Sequence, residues 1–127
     1  MSQTLFLRRV LALDSLSCLT MGLAMSLGAA ELAPLFGLPE PLLRLAGLAL
    51  LPLAAFIGWL ASRPVPPRAL VWLVVIGNLG WTAESFAVIA QQQPTALGTA
   101  FVAAQALAVL GLSGLEYLGL RKMRATA

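Results

Sequence analysis

The chain has no histidine and one cysteine, Cys18, among its 127 residues. The first absence removes imidazole ligation of haem, zinc or copper, together with the usual general base at neutral pH. The second excludes an intramolecular disulfide and any cysteine-built metal cluster. No metal site and no cofactor are expected. Charge is scarce too: 10% of residues are charged, against roughly a quarter in a soluble domain. No stretch alternates apolar and polar residues with period 2, which excludes a membrane β-barrel.

What is abundant is apolar surface. Hydrophobic residues make up 60% of the chain, and the mean hydropathy is +0.91. Such a chain is solvated by lipid, and its length leaves no room for a sizeable soluble domain beside several spans. Residues 1–127 are read as one integral membrane domain with the lipid bilayer as its solvent.

Four segments reach the ~20 apolar residues that a bilayer crossing needs: residues 10–30, 42–61, 69–90 and 96–118. The separators "ELAPLFGLPEP", "SRPVPPR" and "QQQPT" are short and rich in helix breakers. The expected fold is an all-α, up-down-up-down bundle of four transmembrane helices. The first separator is expected to form a loop capping the bundle, or a short amphipathic turn that places Leu35, Phe36 and Leu38 in the interface. The N-terminal segment has features of a secretory signal, but Asp14 interrupts its apolar run and three spans follow, so an uncleaved first span is expected.

Basic residues set the orientation. Arg8 and Arg9, Arg63 and Arg68, and Arg121, Lys122 and Arg124 all fall on one side, and only Arg44 lies toward the other. Both termini are expected in the cytoplasm of a bacterial inner membrane. The isoelectric point near 10.0 then reflects topology, and a nucleic-acid partner is not expected. Trp59, Trp72 and Tyr117 fall where an interfacial aromatic belt belongs.

Polar residues inside spans are expensive and mark candidate sites. Three acids lie there: Asp14, Glu84 and Glu116. Asp14 is expected to pair with Arg8, Arg9 or a basic residue at the end of the fourth span, and Glu116 with Arg121 or the interface. Glu84, deep in "GNLGWTAES" and without a basic neighbour in sequence, has the strongest claim to a specific role; Arg44 is its candidate ion-pair partner. At ~100° per residue, Asn78, Trp81, Thr82 and Ser85 share one face, with Glu84 on its flank. Gln105 and Glu116 share a face of the fourth span, and Asp14, Cys18, Met21 and Met25 one of the first. These stripes are expected to point inward together, as interhelical hydrogen bonds or as ligand contacts. Trp81 needs an acceptor for its indole N–H at that depth, with Gln105 or Asn78 the candidates. Asp14, Asn78, Trp81, Glu84, Gln105 and Glu116 therefore form the candidate binding set.

Small residues at Gly22 and Ser26, at Ala54, Gly58 and Ser62, and at Gly111 and Gly114 are expected to let helices approach closely. Pro52 is expected to free a carbonyl within the second span.

The motifs "LRRVLALDSL", "LFGLPEPLLRLAGLALLPLAAF", "NLGWTAES" and "LEYLGLRK" together resemble a group of small bacterial inner-membrane proteins described as four-helix integral membrane proteins, a group that brings no established activity. Small multidrug-resistance exporters are similar in size and place an acid in the first helix, but the surroundings of Asp14 differ from theirs. The double-glycine and Thr-Thr-Phe features of small fluoride channels are missing. With no catalytic constellation, a non-enzymatic accessory protein that binds another membrane protein or lipid is the first expectation. The alternative is a small oligomeric transporter or channel, proton-coupled, whose path is lined by the intramembrane carboxylates. A dry, packed interior would favour the accessory protein; a cavity reaching Glu84 and Asn78 would favour a ligand site.

Overall fold

The computed structural model describes the backbone of residues 2–126 and the side chains of residues 4–123. Arg124, one of the basic residues expected to set the orientation, has its side chain outside that range. The fold is all-α, as expected: α1 (Ser2–Leu27), α2 (Ala29–Phe36), α3 (Glu40–Ser62), α4 (Arg68–Gln92) and α5 (Ala96–Thr126). Four of these helices, all but α2, are long and apolar enough to cross a membrane, which fits a multi-pass membrane protein. Large apolar side chains such as Leu13, Leu45, Leu73, Ile76 and Leu107 are exposed on their outer faces, where hydrocarbon is the natural solvent.

The breakers act where the sequence places them. Pro39 caps α3 and Pro67 caps α4, both extended and both preceding a first turn that lacks N–H partners in any case. Pro52 lies inside α3, which runs through it without interruption. Gly37 ends α2 with a left-handed φ of 67° and returns its N–H to Ala33 O, the αL cap for which glycine has no steric penalty. The expected capping loop is thus largely helical. Phe36 and Leu38 turn inward, Phe36 stacking on Phe101 at 4.6 Å, while Leu35 faces outward. Thr95 fastens this cap to α5: its N–H reaches Phe36 O at 3.0 Å, its hydroxyl donates to Leu35 O at 2.7 Å, and the same oxygen accepts Gly98 N–H at 3.0 Å.

Helix α1 packs along α3, α4 along α5, and α1 along α5 toward one end, whereas α3 and α4 barely touch and α1 meets α4 through side chains alone. Two of the three small-residue stripes lie on the α1–α3 seam. A Cβ on Gly47 or on Gly22 would meet the other helix's backbone or side chains within 3 Å, and Ser15 Oγ, beside Gly58, donates to Ala54 O at 2.7 Å. The third expectation is corrected: Gly111 and Gly114 face open space, because their phase points away from α4, and the close approach on α5 falls at Gly119 against Leu7.

Two apolar clusters divide the interior. Leu7, Leu11, Ile57, Leu60, Val71, Val74, Val75 and Leu120 fill the end that carries the arginines, hereafter the basic end. Met25, Ala29, Phe36, Leu38, Leu43, Leu50 and Val102 fill the α2 end. Between them lies a polar layer. At the basic end Arg8 Nε donates to Ala61 O at 3.1 Å and a guanidinium nitrogen of Arg68 to Leu120 O at 2.9 Å. Trp72 and Tyr117 meet edge to face at 5.7 Å, and Arg63 sits 5.2 Å from the Trp59 ring.

Candidate functional site

The polar layer is organised by α4. Asn78 lies one turn past the Val74–Val75 pair, so it inherits their inward phase. Its Nδ2 donates to Asp14 Oδ2 of α1 at 2.9 Å and to Glu116 Oε1 of α5 at 3.0 Å. One side-chain amide has two hydrogens, and here each serves a different acid. Asp14 is 1% exposed and Glu116 is fully buried. The second oxygen of Asp14 receives Cys18 Sγ, one turn on, at 3.7 Å. The second oxygen of Glu116 is buried with no hydrogen-bond partner. Ser113, one turn before Glu116 on the same face, donates its hydroxyl to Val75 O at 3.2 Å and closes the α4–α5 seam beneath the pair.

Three expectations about the acids are corrected here. Asp14 and Glu116 form no ion pair with Arg8, Arg9 or Arg121: Arg8 is engaged by Ala61 O, Arg121 lies over the Tyr117 ring at 6.0 Å, and the acids turn inward to Asn78. The Arg44–Glu84 pair does not form either. Arg44 binds Glu40, one turn before it on α3, at 2.7 Å, the one ion pair among the described side chains. The sparse α3–α4 contact gives it no route to Glu84. Glu84 itself is exposed, on the flank that its helical phase implies, and reaches only the rim of a cavity.

One turn above Asn78, Trp81 donates its indole N–H to Gln105 Oε1 at 2.9 Å. Gln105 in turn donates to Ser85 Oγ at 2.8 Å and to Val102 O at 2.9 Å. Thr82 and Ser85 return their hydroxyls to Asn78 O and Trp81 O, each at i−4. The expected inward face of α4 is therefore real, and its amide, indole and hydroxyls are hydrogen-bonded.

Two cavities adjoin this layer. The larger, about 440 Å³, is a cleft between α1 and α5 with Asp14, Asn78 and Trp81 on α1 and α4 as its polar and aromatic floor. Its lips are Leu13, Leu16, Ala108 and Leu112, of which Leu13 and Leu16 are exposed on the outer surface. The cleft thus opens sideways, through the face that a bilayer would cover. The smaller, about 220 Å³, lies between α3, α4 and α5 near the α2 end, with Met25, Leu43, Glu84, Val88 and Phe101 among its walls. Trp81 and Gln105 border both. Each cavity has one carboxyl group, and among the described residues no lysine or arginine lines either.

Of the candidate binding set, Asp14, Asn78 and Glu116 come together at one point, Trp81 and Gln105 form the adjacent pair, and Glu84 stands apart. The three stripes were expected to point inward together; the joining of Asp14 to Glu116 through Asn78, in place of ion pairs with arginines, was not. The signal was present in Asn78, an amide at membrane depth facing two helices that each bring an acid to the same level.

Comparison of this chain with protein-family models, with curated proteins and with solved structures gives no match.

Proposed function

We propose that this protein binds a lipophilic organic cation, taken laterally from the membrane into the α1–α5 cleft, as a small transporter does. The observation that supports this most directly is the chemistry of the cleft wall. A volume of about 440 Å³ suits a drug-sized molecule. Leucine, valine and methionine side chains favour an apolar body, an aromatic ring in the wall, Trp81, suits a cation, and Asp14 supplies the one carboxyl group. No basic residue is available for an anionic headgroup among the described residues lining it, which weighs against a phospholipid phosphate as the ligand. The cavities also weigh against a purely packed accessory protein, whose interior needs no such space. In this reading both termini face the cytoplasm of a bacterial inner membrane, with the arginine-rich end inward.

Titration of the purified protein in lipid nanodiscs with tetraphenylphosphonium tests the proposal. Saturable binding is expected, weakened at least about tenfold by Asp14→Asn or Trp81→Ala, a loss of ~1.4 kcal/mol or more. Glu40→Gln, at the exposed helical pair, leaves it unchanged. The isosteric anion tetraphenylborate is expected not to compete. Absence of saturable cation binding, or equal binding of the anion, overturns the reading.

A further inference from the structure

The two acids on Asn78 raise a question that cation binding alone does not answer. Ionising both would place two negative charges on one amide nitrogen in a water-poor layer, where even one ionised acid costs ~2.5–3.5 kcal/mol. The charged and titratable groups around them are few. On α1 they are Cys18, which donates to Asp14, and Arg8 and Arg9, of which Arg8 is bonded to α3 and Arg9 is exposed. On α4 they are Arg68, bonded to Leu120 O, and the exposed Glu84. On α5 they are Tyr117, Arg121 and Lys122, all exposed and directed to ring or interface contacts. Helix α3, packed on α1, brings Glu40 and Arg44, which pair with each other at the α2 end, and its C-cap Arg63, held on Ser62 and the Trp59 ring. No cation neutralises the pair among the described residues, and Glu116 Oε2 is left buried without a donor.

We infer that Asp14, Asn78 and Glu116 form a proton site in which the two carboxyl groups hold a single proton, and that a cation entering the cleft displaces it. The inference rests on the proposed cation binding for its second half and on geometry for its first. One proton removes the second charge, ends the repulsion and gives Glu116 Oε2 a hydrogen-bonding role that it otherwise lacks; Asn78 already occupies one oxygen of each acid and holds the two groups at one level. Asp14 lines the cleft whereas Glu116 does not, so the proton sits at the boundary between ligand space and sealed interior. The exchange balances. With the proton bound the pair carries one negative charge. When a monovalent cation binds, the proton leaves for the aqueous phase, and the two carboxylates with their cation again carry one. The buried layer never gains net charge, which is the electrostatic reason for one-to-one exchange. Exchange at a shared acid is also the means by which a proton gradient would drive the cation.

Two measurements separate this inference from the reading it builds on. Infrared difference spectroscopy of the ligand-free protein at neutral pH is expected to show a protonated-carboxyl C=O band that shifts in heavy water, is lost in Glu116→Gln, and moves in frequency in Asp14→Asn, where the buried Glu116 keeps the proton without its partner acid. No such band in the wild-type protein overturns the shared proton, whatever binds in the cleft. Calorimetric titration with tetraphenylphosphonium in buffers of different ionisation enthalpy is expected to give about one proton released per cation bound, so that affinity rises by up to about tenfold per pH unit. Glu116→Gln is expected to bind the cation with no proton released, because Asp14 is then the only acid of the site. Binding without release in the wild-type protein overturns the exchange. Failure to bind at all overturns the cation reading and, with it, the exchange, while the infrared band still decides the proton site. Should Glu116→Gln not fold, the change in band frequency in Asp14→Asn identifies the pair instead.

Discussion

Trp81 and Gln105 meet across the α4–α5 seam through a 2.9 Å hydrogen bond, and both side chains border both cavities. The bond is thus the partition between the α1–α5 cleft and the smaller space near α2. Gln105 is fixed on its other side by Ser85 and Val102 O, so the indole rests on a braced amide rather than a free one.

That arrangement predicts a modest coupling. In a double-mutant cycle of Trp81→Phe and Gln105→Leu, unfolding in mixed micelles is expected to give an interaction energy of roughly 0.6 kcal/mol, and no more than about 1.7 kcal/mol. Each single variant is expected to lose more than that coupling energy, because each also leaves one polar group without its partner. Strict additivity would show that the bond contributes nothing to the seam.

A pair of glycines separates close approach from mere occurrence. A Cβ on Gly98 would overlap the Phe36 carbonyl, where α5 passes the end of α2, whereas a Cβ on Gly77 meets nothing within 4 Å. Gly98→Ala is therefore expected to destabilise by about 1–3 kcal/mol, since the obstacle is backbone. Gly77→Ala is expected to be neutral or to stabilise by up to about 1 kcal/mol through helix propensity. Thermal unfolding in one detergent checks both, and equal effects would refute the Phe36 contact.

These contrasts show why part of the molecule was legible and part was not. The spans follow from apolar length and proline-rich breaks, which are local. The partner of Trp81 was legible because an indole N–H at depth needs an acceptor and Gln105 offers one on the adjacent helix. The Asp14–Glu116 meeting was obscured because each acid has an arginine nearer in sequence, and sequence distance says nothing of α1 lying against α5. Arg44 failed as a partner for Glu84 for the converse reason: Glu40 waits one turn away on its own helix, and α3 and α4, though consecutive spans, hardly meet.

Arg8 illustrates how one residue serves topology and packing at once. In the proposed topology its charge keeps the start of the first span inside, while its Nε closes Ala61 O in the last turn of α3, where helix carbonyls lack partners. Arg8→Lys keeps the charge and removes the planar fork. It is expected to leave the orientation of a C-terminal reporter fusion unchanged and to cost about 1 kcal/mol in unfolding. A change of orientation with unaltered stability would reverse that division of roles.

Cys18 offers the most direct view of the cleft, since it is the chain's one thiol and lines that space half-buried, beside Asp14. The wild-type protein needs no engineered background for labelling. N-ethylmaleimide, small and membrane-permeant, is expected to modify Cys18 slowly in nanodiscs. With tetraphenylphosphonium at about ten times its dissociation constant, the free fraction falls to roughly a tenth and the rate is expected to fall with it. A control thiol at Ser62, exposed at the basic end, placed by Ser62→Cys in a Cys18→Ala background, is expected to react at one rate with or without the cation. Equal protection at both positions would point to a general effect of the cation on the membrane, and no protection at Cys18 despite saturable binding would move the ligand out of the α1–α5 cleft. Protection confined to Cys18 places the cation within reach of Asp14, the position at which displacing a shared proton has a physical cause.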